Sequence, residues 1–557
     1  PDRGDLRGGP REGLTPPVLG SHTAHVDTFA RDRLPPVEQW PTLLLDRPEV
    51  RYPAKLNCAV ELVDVMAGKT PDAPCFRSPG ESLTYREFSE RVDRFAHVLV
   101  EDLGLVPGGR VLLRAANNPD MMALWFAVAK AGGIVVATMP LLRAGELQKV
   151  LDRAKVTIAL CDVRLREELE TAVGRVDHDV KVMTFHGAGE EEELERRAAM
   201  KPAGFAAVDT AADDVVLIAF TSGTTGNPKG TMHFHRDILA ICDTYSASIV
   251  RPKASEVFIG SPPIAFTFGL GGLVLFPMRV GASSILLEAA APDLLRDAIG
   301  AYGATTLFTS PTAYRRMLAT PAGDAFATLR KCVSAGETLP LPVFQAWERE
   351  TGIRIMDGIG ATEMLHIFIG APVEAIRPGA TGLPVPGYEA RIVGEDLQPV
   401  EPGQIGRLAV RGPTGCRYLD DPRQMDYVKN GWNMTGDTFE MDADGYFHYR
   451  ARNDDMIVTS GYNVGGPEVE DALLEHAAVA ECAVVGVPDE ERGQVIKAVV
   501  VLRPGFERND DMVRGLQDHV KATIAPYKYP RVVEFVDALP RTETGKVQRY
   551  VLRGEKR

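Results

Sequence analysis

Apolar and polar positions along this chain repeat in two periods, and the two periods take turns. Short apolar runs at 111–113, 134–137 and 215–220 read as buried strands. Between them, 119–130 and 146–155 carry apolar residues at helical spacing behind helix-start signals. The alternation resumes over 238–360, with strands expected at 283–287, 305–308 and 331–334. Strands separated by helices argue for parallel sheets covered by helices, and two such blocks predict two sheets. From about 379 to 450 the chain becomes short strands broken by Gly-Leu-Pro, Pro-Gly-Tyr, Pro-Gly-Gln and Asp-Gly-Tyr, which predicts a small antiparallel or barrel-like unit. A helix at 467–476, strands at 480–487 and 496–502, and a helix at 510–523 then suffice for a separate lid domain. The fold class is α/β. A large N-terminal domain holds two helix-covered mixed or parallel sheets plus a small β-barrel-like unit, and a small mobile α+β C-terminal domain follows. The expected boundaries are a disordered segment at 1–25, the large domain at 26–453 and the lid at 454–557.

Composition narrows the function classes. With 557 residues, of which 62 are Lys or Arg and 76 Asp or Glu, the net charge is −14. Such a chain is a poor sequence-independent nucleic-acid binder, which needs basic surface. The uncharged stretch 259–278 contains Pro262, Pro263, Gly269, Gly271, Gly272 and Pro277. A membrane helix tolerates that badly, so it reads as buried strand, loop and helix, and no membrane anchor is expected. The seven scattered cysteines form no Cys-x-x-Cys pair and suit a reducing compartment, hence a cytoplasmic location. His233 and His235 have no carboxylate or cysteine ligands nearby in sequence, which favours helix-start or packing roles over a metal.

The most informative stretch is Thr221-Ser222-Gly223-Thr224-Thr225-Gly226-Asn227-Pro228-Lys229-Gly230, directly behind the strand at 215–220. Glycines admit an anion close to the backbone, N–H and hydroxyl groups donate to it, and one lysine supplies charge. The loop is not a Walker A, because Pro228 precedes Lys229 and Gly230 follows it. Further clusters are Ser334-Ala335-Gly336-Glu337, Asp357-Gly358-Ile359-Gly360-Ala361-Thr362-Glu363, Thr435-Gly436-Asp437, Arg452-Asn453-Asp454-Asp455 and Pro540-Arg541-Thr542-Glu543-Thr544-Gly545-Lys546. Singly each reads as a turn or a surface lysine.

In this order they resemble the adenylate-forming superfamily of acyl-CoA synthetases, adenylation domains and luciferases, over about 54–553. The resemblance implies activation of a carboxylic acid by ATP to an acyl-adenylate, then attack by a thiol, usually coenzyme A. It implies Lys229, Thr221, Ser222, Gly223, Thr224, Thr225 and Gly226 on the phosphates, with Thr362 as a phosphate-contacting hydroxyl. Glu363 corresponds to the Mg²⁺ carboxylate, apt for a hard cation. Gly336, Glu337, Asp357, Gly358, Ile359 and Gly360 match the adenine pocket, Asp437 the ribose ligand, and Arg452 the same sugar-phosphate end. Lys546 corresponds to the catalytic lysine that offsets charge between carboxylate and α-phosphate. Asp454 matches the hinge, and Ser460, Gly461 and Tyr462 the pantetheine tunnel that replaces Lys546 after rotation.

The runs 357–368 and 266–271 look like the benzoate-CoA ligase branch, while 24–31 and 231–235 look more like 2-aminobenzoate-CoA ligases within it. Phe266, Thr267, Phe268, Ala335, Gly360 and His366 are the expected acyl pocket. Aromatic walls suit a flat ring, and Thr267 or His366 could serve an ortho-amine. The implied partners are a small aromatic carboxylic acid, ATP with Mg²⁺, and coenzyme A, in a chain that could be a homodimer. Two other classes compete: an adenylation enzyme loading a free-standing carrier protein, and a non-catalytic nucleotide sensor.

Overall fold

The computed structural model describes residues 20, 22–186, 193–221, 228–321, 323–452, 455–459, 462–489, 493–524, 526–542 and 546–554. The first block of alternating pattern builds a six-stranded sheet in the order Lys181–Phe185, Ile158–Asp162, Arg110–Arg114, Ile134–Thr138, Val215–Thr221, Lys229–Phe234. All neighbours in it are parallel except the last pair. The second block builds a nine-stranded sheet whose centre is Ile355–Gly360, Lys331–Ser334, Thr306–Thr309, Val257–Gly260 and Ser283–Ile285, all parallel.

Both sheets are therefore mixed, and the second contains strands the pattern did not assign to it. Pro74–Ser78 joins Ser283–Ile285 in parallel and pairs with Glu81–Thr84 in antiparallel. At the other end, Ile367–Gly370 and Leu383–Pro384 are antiparallel additions. Helix Pro119–Lys130 explains how the sheets meet. Asn118 caps it, accepting from Met121 N at 2.9 Å, and eleven of its twelve residues are buried. A helix apolar on every side needs cover on every side. It packs on Arg110–Arg114 and Ile134–Thr138 of one sheet and on Pro74–Ser78 of the other.

The turn-rich region is a five-stranded antiparallel sheet of Glu389–Val393, Ile405–Arg411, Trp432–Met441, Val428–Lys429 and Phe447–Arg452. The last part is a further five-stranded sheet holding Val479–Asp489 and Gly493–Leu502. Helices Gly466–Leu474 and Asp510–Thr523 supply Val469, Leu473, Leu516 and Val520 to its separate core. The hinge position Asp454 lies outside the described residues. Residues 23–25, inside the segment expected to be disordered, are anchored on the large domain. Ala24 N donates to Asp214 at 2.9 Å, the Thr23 hydroxyl donates to the same carboxylate, and His25 is buried. Charge and proline content at the N-terminus concealed this buried acceptor.

All seven cysteines are unpaired. Among the described residues no helix is long and apolar enough to cross a membrane. His233 and His235 are fully buried, and His235 opens helix His235–Ile241, a packing role.

One long-range crossing fixes the edge of the six-stranded sheet. Met232 N donates to Arg417 O and Leu419 N to Gly230 O, both at 2.8 Å, so 417–419 runs along Lys229–Phe234. Beneath the crossing, Arg417 pairs with Asp237, and both side chains have no exposure. Burial alone would raise the Asp237 carboxyl; the Arg417 charge holds it below the usual range. The guanidinium also lies 4.0 Å from the centre of the Phe234 ring. Arg417→Met should cost about 3–5 kcal/mol, because it strands a buried carboxylate. Arg417→Met combined with Asp237→Leu should recover most of that loss in urea unfolding. Equal destabilisation of single and double variants would contradict this role.

Candidate active site

The candidate side chains fall into four groups, carried by the two large sheets, the helices that cover them and the five-stranded antiparallel sheet. The first is the phosphate-type loop. Thr221 ends one strand and stands opposite Lys229, which begins its antiparallel neighbour. The chain leaves the loop as a strand, not as the helix that follows a Walker A. Ser222, Gly223, Thr224, Thr225 and Gly226 lie outside the described residues.

Lys229 is joined to Glu363 by a residue that the sequence reading missed. Lys229 Nζ donates to the Tyr418 hydroxyl at 3.2 Å, and that hydroxyl donates to Glu363 Oε1 at 2.5 Å. Tyr418 is fully buried and Glu363 nearly so. Burial, then the Glu363 charge, raise the phenol far above its ordinary value, so it keeps the proton it donates. Tyr418 N donates to Gln424 Oε1 at 2.9 Å, while Gln424 Nε2 donates to Gln39 O and Cys416 O. Only the crossing beside Lys229–Phe234 makes Tyr418 a neighbour of Lys229; its local sequence gives no such signal.

The second group is the turn after strand Ile355–Gly360. Thr362 O lies 2.8 Å from His233 Nε2, and Thr414 Oγ1 donates to Met364 O at 2.8 Å. Leu365 is buried with φ +69°, a backbone region costly for a branched side chain. This turn lets Glu363 and His366, three residues apart, serve different neighbourhoods. Glu363 meets Tyr418, whereas His366 enters the aromatic region.

That region is the third group. The His366 ring centre lies 4.6 Å from Phe276, 5.3 Å from Tyr245 and 5.7 Å from Phe268. His366 is 3% exposed, and burial lowers its pKa to about 3, so the ring is neutral. Its ring nitrogens make no hydrogen bond of good geometry among the described residues, only a weak contact to the Phe268 backbone, and the buried Tyr245 hydroxyl has no partner among them. Gly271 is required here, since a Cβ would lie 2.4 Å from His366 Cδ2. It opens Gly271–Leu275, a wide π-turn inside the helix that begins at Thr267. Phe266, Thr267 and Phe268 are half-buried and Ala335 buried, while Gly360 packs its Cα face on His366 O. Tyr245 and Phe276 are rings around His366 that the motifs did not name.

The fourth group comprises the nucleotide candidates. Thr312 Oγ1 donates to Glu337 at 2.7 Å, and Gly336 takes φ +87°. Burial raises the Asp357 carboxyl to about 8, against hydrogen bonds from the Gly358 backbone and Ser334. Gly358 and Ile359 continue the same strand. Asp437 is buried; its N–H donates to Thr435 Oγ1 at 3.3 Å, and it stands opposite Arg452 in register.

The C-terminal domain meets this face through Glu481, which pairs with Arg315 at 2.8 Å and Arg541 at 2.9 Å. Beyond Arg541, Thr542 N donates to Lys546 O at 2.7 Å, and Lys546 itself is exposed. Ser460 and Gly461 lie outside the described residues, and Tyr462 begins the strand Tyr462–Val464.

This geometry has counterparts in known proteins. Residues 63–417 match the AMP-binding enzyme family, and 468–546 match the AMP-binding enzyme C-terminal domain. The chain is 35% identical to benzoate–CoA ligase of Thauera aromatica, over 91% of this chain and 97% of that protein. It is 33% identical to 4-hydroxybenzoate–CoA/benzoate–CoA ligase of Rhodopseudomonas palustris, covering 89% and 94%. The crystal structure of an anthranilate CoA ligase with anthranoyl-AMP superposes at a TM-score of 0.86, with 31% identity, 91% of this chain and 98% of that one. A benzoate CoA ligase structure from Burkholderia xenovorans gives 0.82, with 30% identity, 89% and 100%. Motif order, the mixed sheets and the small C-terminal domain agree with these matches: the chain belongs to the AMP-binding family of adenylate-forming enzymes, in its benzoate- and aminobenzoate-CoA ligase branch.

Proposed function

We propose that this protein is an ATP-dependent aryl-CoA ligase, with 2-aminobenzoate its favoured acid and benzoate next. In the first step a carboxylate oxygen attacks the α-phosphorus of ATP, and pyrophosphate leaves. In the second the coenzyme A thiolate attacks the acyl carbonyl, and AMP leaves. Lys229 and the loop hydroxyls would hold the phosphates, Asp437 and Arg452 the ribose end, and Glu337 with 357–359 the adenine. Glu363, a buried hard-oxygen donor beside Lys229, fits Mg²⁺. Bound there, the ion would offset phosphate charge. Seven unpaired cysteines fit a reducing compartment such as the cytoplasm.

The observation that carries the aryl reading is His366. A neutral, buried imidazole, whose one polar contact among the described residues is a weak one to the Phe268 backbone, stands in a box of Tyr245, Phe268 and Phe276. Aromatic walls favour a flat ring, and a weakly partnered buried nitrogen favours a polar ring substituent. The relative with anthranoyl-AMP supports the same chemistry.

A panel of acids tests this reading. Catalytic efficiency should be far higher with 2-aminobenzoate and benzoate than with octanoate, and thioester should form with free coenzyme A. Higher efficiency with octanoate overturns the aryl assignment; adenylate without thioester points to a carrier protein as acceptor. His366→Ala should shift the 2-aminobenzoate to benzoate ratio by the equivalent of about 1–3 kcal/mol. An unchanged ratio removes His366 from the selection of the acid.

We further propose that Lys546 and Gly461 reach the reacting carbonyl in turn, by rotation about Asp454. Lys546→Ala should abolish most adenylation yet spare thioester formation from supplied acyl-adenylate. Gly461→Leu should do the reverse, by filling the path of the thiol. Single-turnover measurement of each half-reaction checks both, and loss of the same half-reaction in both variants contradicts the rotation.

A further inference from the structure

Two ionic groups of opposite sign at the phosphate end do not pair with each other directly. A phenol stands between them: Lys229 Nζ donates to Tyr418 Oη at 3.2 Å, and Tyr418 Oη donates to Glu363 Oε1 at 2.5 Å. The arrangement has a consequence for charge. A direct lysine–carboxylate pair neutralises itself, and substrate would have to break it. With a phenol as spacer, both groups keep their orientation, and each gives up only one hydrogen bond to a neutral partner.

The phenol is itself held from several sides. The backbone of Tyr418 pairs with Thr231 on the strand that starts at Lys229. Gln424 accepts from its N–H, and the ring stacks edge-on to Tyr427 at 5.8 Å. Next to it, Arg417 is locked to Asp237. The hydroxyl is thus a fixed point, while Lys229 has a long flexible stem.

We propose that Tyr418 is a positioning residue that couples the phosphate lysine to the metal carboxylate, orienting Glu363 for a divalent cation through its hydroxyl. The proposal rests on the reading of Lys229 and Glu363 given above, and it concerns nucleotide and metal alone, whatever the acid. Hydrogen-bond partners of metal ligands typically govern affinity by about 10–100-fold.

The test is Tyr418→Phe, which keeps the ring and removes the hydroxyl. Mn²⁺ binding to the enzyme–ATP complex is followed by electron paramagnetic resonance without any acid present, alongside the thermal midpoint. KM for ATP and KM for benzoate are then measured in pyrophosphate exchange. We expect Mn²⁺ binding to weaken about 10–100-fold. KM for ATP should rise, with the thermal midpoint and KM for benzoate unchanged. Wild-type Mn²⁺ affinity in Tyr418→Phe overturns the proposal and leaves the ligase reading standing. A lowered midpoint with equal rises in both KM values, or failure to fold, overturns it too, because the hydroxyl is then structural. Absence of Mn²⁺–ATP binding in the unaltered protein overturns both readings.

Discussion

The buried pair of Arg417 and Asp237 is the constraint on which the phosphate end depends. Neither side chain has any contact with solvent, so each needs the other. Their pairing brings 417–419 against the strand that starts at Lys229. Once that crossing is made, Tyr418 has no choice of neighbours. It lies under Lys229 and against Glu363, which comes from the other large sheet's edge. A structural ion pair thus aligns two chemically active groups without touching either.

The acyl end follows a different logic. There the protein buries polar atoms without fully satisfying them. His366 and the Tyr245 hydroxyl are enclosed by aromatic rings; the hydroxyl lacks a partner among the described residues, and His366 has only a weak contact to the Phe268 backbone. Buried polar atoms of this kind cost stability unless a partner is supplied. The turn at Leu365, with its positive φ, links the two ends over a few residues. Strain at this point goes with a backbone that presents Glu363 to Tyr418 and His366 to the aromatic rings.

Much of the architecture was legible as pattern. The helix 119–130 and the strands 331–334 and 215–220 can be read from period and caps, because burial demands are local there. Sheet membership was not legible. Pro74–Ser78 pairs with Ser283–Ile285, a choice made by packing against the shared helix and not by local spacing. The site divides in the same way. Lys229, Glu363 and His366 lie in motifs that resemble a family, so their positions could be named. Tyr418 sits in Cys416-Arg417-Tyr418-Leu419, an ordinary apolar-looking run, and its role arises from a contact 189 positions away. Tyr245 likewise gains meaning only when its helix meets His366.

The central claim is that an aryl carboxylate attacks the α-phosphorus of ATP at this site and that a thiol then displaces AMP. Isotopic labelling of the carboxylate oxygens tests it most directly. Aryl acid carrying heavy oxygen in both positions is converted with ATP and coenzyme A, and the products are analysed by mass spectrometry. The account predicts one labelled oxygen in AMP, one in the thioester carbonyl and none in pyrophosphate. Label in orthophosphate or pyrophosphate, or AMP free of label, would contradict it.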